Sequence, residues 1–192
     1  MSKPDVTLLL TAWRAGDRAA FDQLLSATYD ELRRLARSHL RRERPGHTLS
    51  ATGLVHEAWL NLVRQREPAF ESRAHFFGAA SHAMRRVLVG HARTRLAQKR
   101  RGERVALTAI EETLGVSSAL HDLVALDVAL EALAAVDPRL VRVVECRSFG
   151  GLTIVETAAA LGVSHTTVSE DWRFARAWLH NALVGEPGGR AA

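Results

Sequence analysis

The chain has 192 residues, of which 47% are hydrophobic, and its formal net charge is +5. This composition is too apolar for a disordered chain, and no apolar run reaches the roughly 18 residues that a membrane span requires. The first residues lack the apolar segment and cleavage site of a secretory signal. We therefore expect a globular protein of the cytoplasm that has no membrane partner.

Charge is distributed unevenly along the chain. Residues 1–101 carry 19 lysine and arginine residues against 9 acidic residues, whereas residues 102–192 carry 7 against 12. A basic segment of this kind attracts polyanions. The asymmetry therefore suggests a polyanionic partner for the N-terminal half, and the alternative is an arginine-rich solvated surface.

Helical periodicity dominates the chain, and no stretch alternates convincingly with period two. In the first half, the predicted helices cover residues 5–14, 17–43, 50–66 and 72–101. Asp17 is the expected N-cap of the second helix, and Arg44-Pro45-Gly46 is expected to end it. Residues 102–121 have weaker periodicity and contain glycine and serine, which predicts a linker with at most one helical turn.

Helices resume after that linker. They are expected over residues 122–136, 138–148, 153–161 and 164–183, and residues 185–192 are expected to be a disordered tail. The prediction is an all-α fold of two small helical domains, residues 1–101 and 122–184, joined by the linker 102–121.

No pattern of catalytic or metal-binding residues stands out. His56-Glu57 would need a second histidine at position 60 to form a zinc motif, but that residue is Leu60. Cys146 is the only cysteine, and we expect it to be a small buried hydrophobe. We therefore predict a protein that is not an enzyme and that uses neither a metal nor a cofactor.

The strongest local signal is a helix-turn-helix pattern over residues 152–172. Ala158 is small where two helices must cross closely, Gly162 can end the first helix with a positive φ, and Ser164 can cap the second. The alternative is an ordinary helical hairpin with a glycine turn. Val168, Trp172, Ala175 and Leu179 give the second helix a buried stripe. That helix would expose these candidate DNA-binding residues, of which the two arginines can reach phosphates: His165, Thr166, Thr167, Ser169, Arg173 and Arg176.

Residues 130–140, 147–153 and the helix-turn-helix together resemble domain four of extracytoplasmic-function (ECF) sigma factors of RNA polymerase. In that family the domain binds the minus-thirty-five promoter element and the flap of the beta subunit. This chain carries Ser169 and Asp171 where relatives commonly have basic residues. With an acidic C-terminal half, we expect weak DNA affinity from this domain alone.

The N-terminal half is similar to sigma domain two in residues 17–21, 29–36 and 54–60. The resemblance implies a helix that binds the beta-prime coiled coil of core polymerase through Leu54, Val55, Glu57 and Trp59. Helical periodicity independently predicts that Leu54, Val55 and Trp59 face a core. The resemblance also implies contacts with minus-ten promoter DNA, for which the candidates are Arg73, Arg85, Arg86 and Arg93. Phe76 and Phe77 are more readily explained as core residues.

The start of the core-binding helix departs from the family. Many relatives have Asp-Ala-Glu-Asp there, whereas this chain has Ser50-Ala51-Thr52-Gly53 and so lacks all three carboxylates. Phosphorylation would add about −1.5 to −2 charge at neutral pH. We hypothesise that a Ser/Thr kinase activates the protein at Thr52, or else at Ser50 or Thr48. The alternative is that Ser50 is a plain N-cap.

The sequence thus predicts a sigma factor that directs RNA polymerase to promoters, with core polymerase, promoter DNA, a Ser/Thr kinase and an anti-sigma factor as candidate partners. The resemblance places it in a branch of the family without the acidic core-binding motif. One rival interpretation is a stand-alone helix-turn-helix regulator that binds DNA without polymerase. The other is a signalling adaptor that has lost polymerase binding.

Overall fold

The computed structural model describes residues 5–40, 49–63, 70, 72–100 and 116–184. Eight α-helices and one π-helical turn make up most of this described part, and no strand occurs within it, so the predicted all-α class is confirmed there. The elements are α1 Val6–Arg14, α2 Arg18–Leu40, α3 Ala51–Val63, α4 Arg73–Arg100, α5 Val116–Val136, α6 Pro138–Val144, the π-turn Glu145–Phe149, α7 Ile154–Leu161 and α8 His165–Val184.

Local capping explains where α2 begins. The Asp17 carboxylate accepts hydrogen bonds from the backbone N–H groups of Ala19, at 2.9 Å, and Ala20, at 3.3 Å. These are among the amides that have no partner within a helix, so the acceptor stabilises the first turn. The predicted N-cap is confirmed, while the predicted stop at residues 44–46 lies outside the described residues.

The second half of the chain corrects two predictions. α5 begins at Val116, inside the range 102–121 that was assigned to a linker, because Leu120 is buried against Ala92 and Leu96 of α4. The glycine and serine residues weaken the local pattern, but this tertiary contact favours the helix. The predicted helix 138–148 changes to a π-turn at Glu145. The tail 185–192 and the rest of the predicted linker lie outside the described residues.

The N-terminal helices α1 to α4 enclose an aromatic core. Phe76 and Phe77 are 0% and 1% exposed, which confirms that both are core residues. The Phe70 ring meets Phe76 edge to face, with centroids 5.4 Å apart, and Trp59 packs on Phe21 at 4.5 Å. Such aromatic contacts hold the long helix α4 firmly against the helices before it.

A smaller core joins α5, α6 and α8. Its fully buried members include Leu130 and Leu133 of α5 and Ala175 of α8. The two halves also pack against each other along α4, where Cys146, Phe149 and Leu152 enter the N-terminal core. Cys146 is only 2% exposed, so the prediction of a small buried hydrophobe is confirmed. Burial raises the pKa of its thiol to about 11, and the neighbouring Glu145 carboxylate adds to this.

Candidate nucleic-acid interface

A tight turn joins α7 to α8. Gly162 has φ 67°, a left-handed conformation in which other residues are strained, and the Val163 N–H donates to the Ala158 carbonyl at 3.1 Å. The Ser164 hydroxyl then accepts a hydrogen bond from the Thr167 N–H at 3.0 Å. The roles predicted for Gly162 and Ser164 are therefore confirmed.

The start of α7 is fixed by a reciprocal capping box. The Glu156 carboxylate accepts from the Thr153 N–H at 2.8 Å, and the Thr153 hydroxyl accepts from the Glu156 N–H at 3.2 Å. The hydrogen bond from the Thr153 backbone, followed by that from its hydroxyl, lowers the pKa of Glu156. The spacing Thr-x-x-Glu is the signal for this motif, and our sequence interpretation missed it.

Apolar packing sets the angle between α7 and α8. Ala158 of α7 and Val168 of α8 are buried together against Val143 of α6. Ile154 and Trp172 pack around the same contact. Because this contact buries one side of α8, the opposite side of the helix faces outward.

The structure places the predicted recognition residues on that outward side. His165, Thr166 and Ser169 are exposed at the N-terminal end of α8, whereas Thr167 is half-buried. The Ser169 hydroxyl donates to the His165 carbonyl at 2.9 Å, and the Thr167 hydroxyl lies 2.9 Å from that of Ser164. His165 and Thr166 are therefore better placed than the two engaged hydroxyls to contact base edges.

The predicted phosphate-binding arginines are also exposed. Arg176 lies over the Trp172 ring at 5.7 Å, and Arg147 lies 5.5 Å from the same ring. Arg173, one turn after the recognition residues, lines a cleft between α8 and the N-terminal half. Arg173 and Arg176 thus place two positive charges on α8 after the recognition residues.

Asp171 does not share the exposed side of α8 with these arginines. Its carboxylate is buried and accepts a hydrogen bond from Arg139 Nε at 2.7 Å. The departure from the family at this position therefore has a structural role inside the domain. The weak DNA affinity expected of this domain alone stays a prediction, and it would rest on Ser169 and the acidic composition more than on the buried Asp171.

Comparison with protein families matches residues 3–185 to the ECF sigma factor family. The chain belongs to this family. Its members bind core RNA polymerase and promoter DNA and are not enzymes. Neither a curated protein nor a solved structure gave a match. The family match extends over both halves of the chain, in agreement with the sequence interpretation.

The four N-terminal arginines of this sigma factor differ in accessibility. Arg86 is exposed, and the Arg73 side chain is 40% exposed beside Glu31 at 2.6 Å. The Arg85 side chain is only 11% exposed because it lies among acidic residues of the C-terminal half. Arg93 is half exposed and shares one of those acids. Their contacts with promoter DNA stay predictions.

The structure corrects the predicted polymerase-binding set on α3. Leu54, Val55 and Trp59 are 0%, 1% and 8% exposed, so they hold α3 in the core, as helical periodicity predicts, and are not part of its outward side. Glu57 is exposed. The outward side of α3 also carries His56 and the apolar side chains Leu60 and Val63. The sequence interpretation missed these two because apolar residues usually mark the buried side of a helix.

The candidate phosphorylation residues have different structural roles. The Ser50 hydroxyl accepts from the Gly53 N–H at 3.0 Å and so caps α3, which confirms the plain N-cap interpretation of its structural role. Thr52 follows in the first turn and is half-buried. Thr48 lies outside the described residues. A modification of Ser50 would therefore disturb a helix cap, whereas a modification of Thr52 would leave that cap in place.

The described residues contain neither a membrane-spanning helix nor a cluster of metal ligands. No helix of this part is long and apolar enough to cross a bilayer. No three histidine, cysteine, aspartate or glutamate side chains of this part gather around a common point where a metal ion would fit.

Proposed function

We propose that this chain is a promoter-recognition subunit that enables RNA polymerase to start transcription at specific promoters. The observation that carries the proposal is the recognition end of α8, with His165 and Thr166 exposed, in a chain that the ECF family matches over residues 3–185. Residues at the N-terminal end of such a helix reach base edges in the major groove. Arg173 and Arg176 would hold phosphates one turn later.

The C-terminal domain would read the minus-thirty-five element only as part of the holoenzyme. Residues 102–192 carry 7 basic residues against 12 acidic ones, and phosphate neutralisation supplies most non-specific DNA affinity. Two tethered modules bind with higher avidity than either alone. The N-terminal domain, docked on polymerase, would supply the second contact near the minus-ten element.

The outward side of α3 is the proposed surface for core polymerase and its beta-prime coiled coil. Glu57 offers a carboxylate to basic residues of the partner, and Leu60 and Val63, 52% and 45% exposed, offer apolar area. One carboxylate in place of a longer acidic motif favours weak docking. The beta flap is the proposed contact of the C-terminal domain, and an anti-sigma factor would compete for these surfaces.

A Ser/Thr kinase would strengthen that docking by adding a phosphate to Thr52. The phosphate would restore negative charge where Ser50-Ala51-Thr52-Gly53 lacks the carboxylates common in relatives. Thr52 is favoured over Ser50 because the Ser50 hydroxyl already caps α3. The free amides and the dipole of the helix start would stabilise the added charge.

Run-off transcription with purified core polymerase tests the sigma role. The template is the DNA upstream of the protein's own operon, and the chain is used with and without treatment by a co-expressed Ser/Thr kinase. A specific transcript in either condition supports the proposal. No transcript in either condition, with no core complex in gel filtration, would favour a stand-alone regulator or a signalling adaptor.

The kinase step has its own test. Thr52→Ala should abolish the gain in polymerase affinity that kinase treatment gives to the wild-type chain, whereas Ser50→Ala should retain it. Equal polymerase affinity of the wild-type chain with and without phosphate would remove the switch and leave the sigma role intact.

A further inference from the structure

The C-terminal half closes onto α4 with the tight packing of a protein interior. Cys146, Phe149 and Leu152 are 2%, 5% and 4% exposed within the N-terminal core. A Cβ atom at Gly150 would overlap the Ser81 hydroxyl of α4, so only glycine fits this approach. The contact is therefore a close fit between specific surfaces.

A polar latch borders this apolar contact on α4. Arg85 Nη2 lies 2.6 Å from Asp127 Oδ1, and Arg85 Nη1 lies 2.6 Å from Glu145 Oε1. Arg93 Nη2 lies 2.7 Å from Asp127 Oδ2, and His82 Nδ1 lies 2.9 Å from Glu145 Oε1. We define the latch as these five residues. Its basic members come from the N-terminal half and its carboxylates from the C-terminal half.

The latch carboxylates depend on their partners. The Asp127 and Glu145 side chains are 6% and 5% exposed, and a buried carboxylate without a counter-charge is strongly unfavourable. Burial lowers the pKa of Arg85, but the hydrogen bonds and charges of both acids more than offset this and raise it overall. Arg85 cannot leave the acids for a phosphate while the two halves stay closed.

We infer that the free chain is held in a closed, autoinhibited form in which Asp127 and Glu145 occupy the arginines that promoter DNA requires. The inference rests on the proposed function, which assigns Arg85 and Arg93 to DNA. Closure and DNA contact by Arg85 exclude each other because all three of its guanidinium nitrogens face the two acids. The apparent promoter affinity is then reduced in proportion to the fraction of chains that are open.

Cys146 is a native reporter of this closure. It is the only cysteine of the chain, and it lies in the contact between the halves. In the closed form its burial and high pKa should make reaction with a thiol reagent at pH 8 at least about tenfold slower than in the urea-unfolded chain. Binding of core polymerase and promoter DNA should accelerate the reaction. Equal rates for the free native chain and the unfolded chain would overturn the inference.

Changing the acids of the latch tests its specificity. The double variant Asp127→Asn, Glu145→Gln removes both counter-charges of Arg85 and should speed Cys146 modification in the free chain. The matched control is Glu131→Gln, since Glu131 is 63% exposed and lies 3.6 Å from Arg93. The control should change the rate less than about twofold. If Cys146 reacted at the same rate in the double variant as in the Glu131→Gln control, the latch would not hold the halves together.

A disulfide across the contact tests the functional consequence. A Cβ atom at Gly78 would lie 3.3 Å from Cys146 Sγ, which is close enough for Gly78→Cys to bond with the native thiol. Diamide-oxidised protein should lose promoter-directed transcription by at least about tenfold, and dithiothreitol should restore it. The variant Gly78→Cys, Cys146→Ser cannot form the disulfide, so diamide should leave its promoter-directed transcription unchanged.

The outcomes separate this inference from the proposed function. Full activity of the oxidised Gly78→Cys variant would overturn autoinhibition and leave the sigma role standing. Failure of the disulfide to form in the folded chain would likewise overturn it. A wild-type chain that never initiates transcription would overturn the proposed function, and the inference with it. If the variant fails to fold, the thiol kinetics of the wild-type chain decide whether the closed form exists.

Discussion

Asp171, on the helix proposed to read DNA, points into the protein and binds Arg139 at the start of α6. Arg139 Nε donates to Asp171 Oδ2 at 2.7 Å, and its Nη2 lies 3.3 Å from Oδ1. These bonds join α8 to α6 in addition to their apolar contact. The acid thus serves the fold of the domain, while its exposed neighbour Glu170 faces solvent.

Asp171→Asn should therefore destabilise the protein without improving DNA binding. The change removes the charge that pairs with Arg139, and we expect the midpoint of urea unfolding to fall. Urea denaturation of the full chain measures the loss. DNA affinity per folded molecule should not rise, and an unchanged unfolding midpoint would contradict the structural role.

Glu170→Gln is the matched change on the exposed side. It removes one negative charge next to the proposed DNA surface, so promoter affinity of the holoenzyme should increase, by no more than about fivefold. Stability should stay within about 0.5 kcal/mol of the wild-type chain, as expected for an exposed site. A decrease in affinity would indicate that Glu170 itself contacts a base.

The capping box of α7 should contribute to stability in a pH-dependent way. Thr153→Ala should cost about 1 kcal/mol at pH 7, because it removes the acceptor for the Glu156 N–H. The pKa of Glu156 is lowered in the folded state by its bonds to Thr153, so its carboxylate stabilises the fold above its ordinary pKa. That contribution is lost as pH falls through the lowered value.

Thermal unfolding of Glu156→Gln and wild-type chains from pH 7 down to pH 3 tests the sign of this effect. The wild-type advantage should be largest at pH 7 and should shrink on acidification. Val155→Ala is a suitable control, because Val155 is 66% exposed on the same helix and does not titrate. An advantage that grows as pH falls would contradict the capping assignment.

Features set by neighbours in the sequence could be predicted. The caps Asp17 and Ser164 and the turn at Gly162 were confirmed because each depends on residues only a few positions away. The capping box of Thr153 and Glu156 depends on an equally local pattern, but the sequence interpretation missed it. Helix periodicity also identified the buried side of α8, where Val168 and Ala175 are 0% exposed.

Features set by residues far apart could not be predicted. Arg85 meets Asp127 and Glu145, which are 42 and 60 positions away, and nothing in the sequence indicates which acids a cationic helix will meet. By contrast, helical periodicity correctly predicted that Leu54 and Val55 face a core, and the resemblance that assigned them to a partner was the weaker guide. The packing of whole helices decides which charged side chains remain available.

Salt dependence should identify the arginines of α8 that bind phosphate. Arg173→Ala or Arg176→Ala should each reduce the slope of log binding constant against log salt by about 1, because one fewer counterion is released. Holoenzyme binding to promoter DNA at several salt concentrations measures the slope. Arg142→Ala on α6 is the control and should leave it unchanged. Equal slopes for all three variants would remove α8 from the phosphate contacts.

Substitutions at the start of α3 distinguish the capping role of Ser50 from the proposed regulatory role of Thr52. Ser50→Ala removes the acceptor for the Gly53 N–H and should lower the free energy of unfolding by about 1 kcal/mol, whereas Thr52→Ala should change it by less than about 0.5 kcal/mol. Ser50→Asp keeps a capping oxygen and should restore stability. Urea denaturation of the unphosphorylated variants measures all three. If Thr52→Ala proved as destabilising as Ser50→Ala, Thr52 would be a structural residue, and loss of function in that variant would no longer argue for a phosphate at this position.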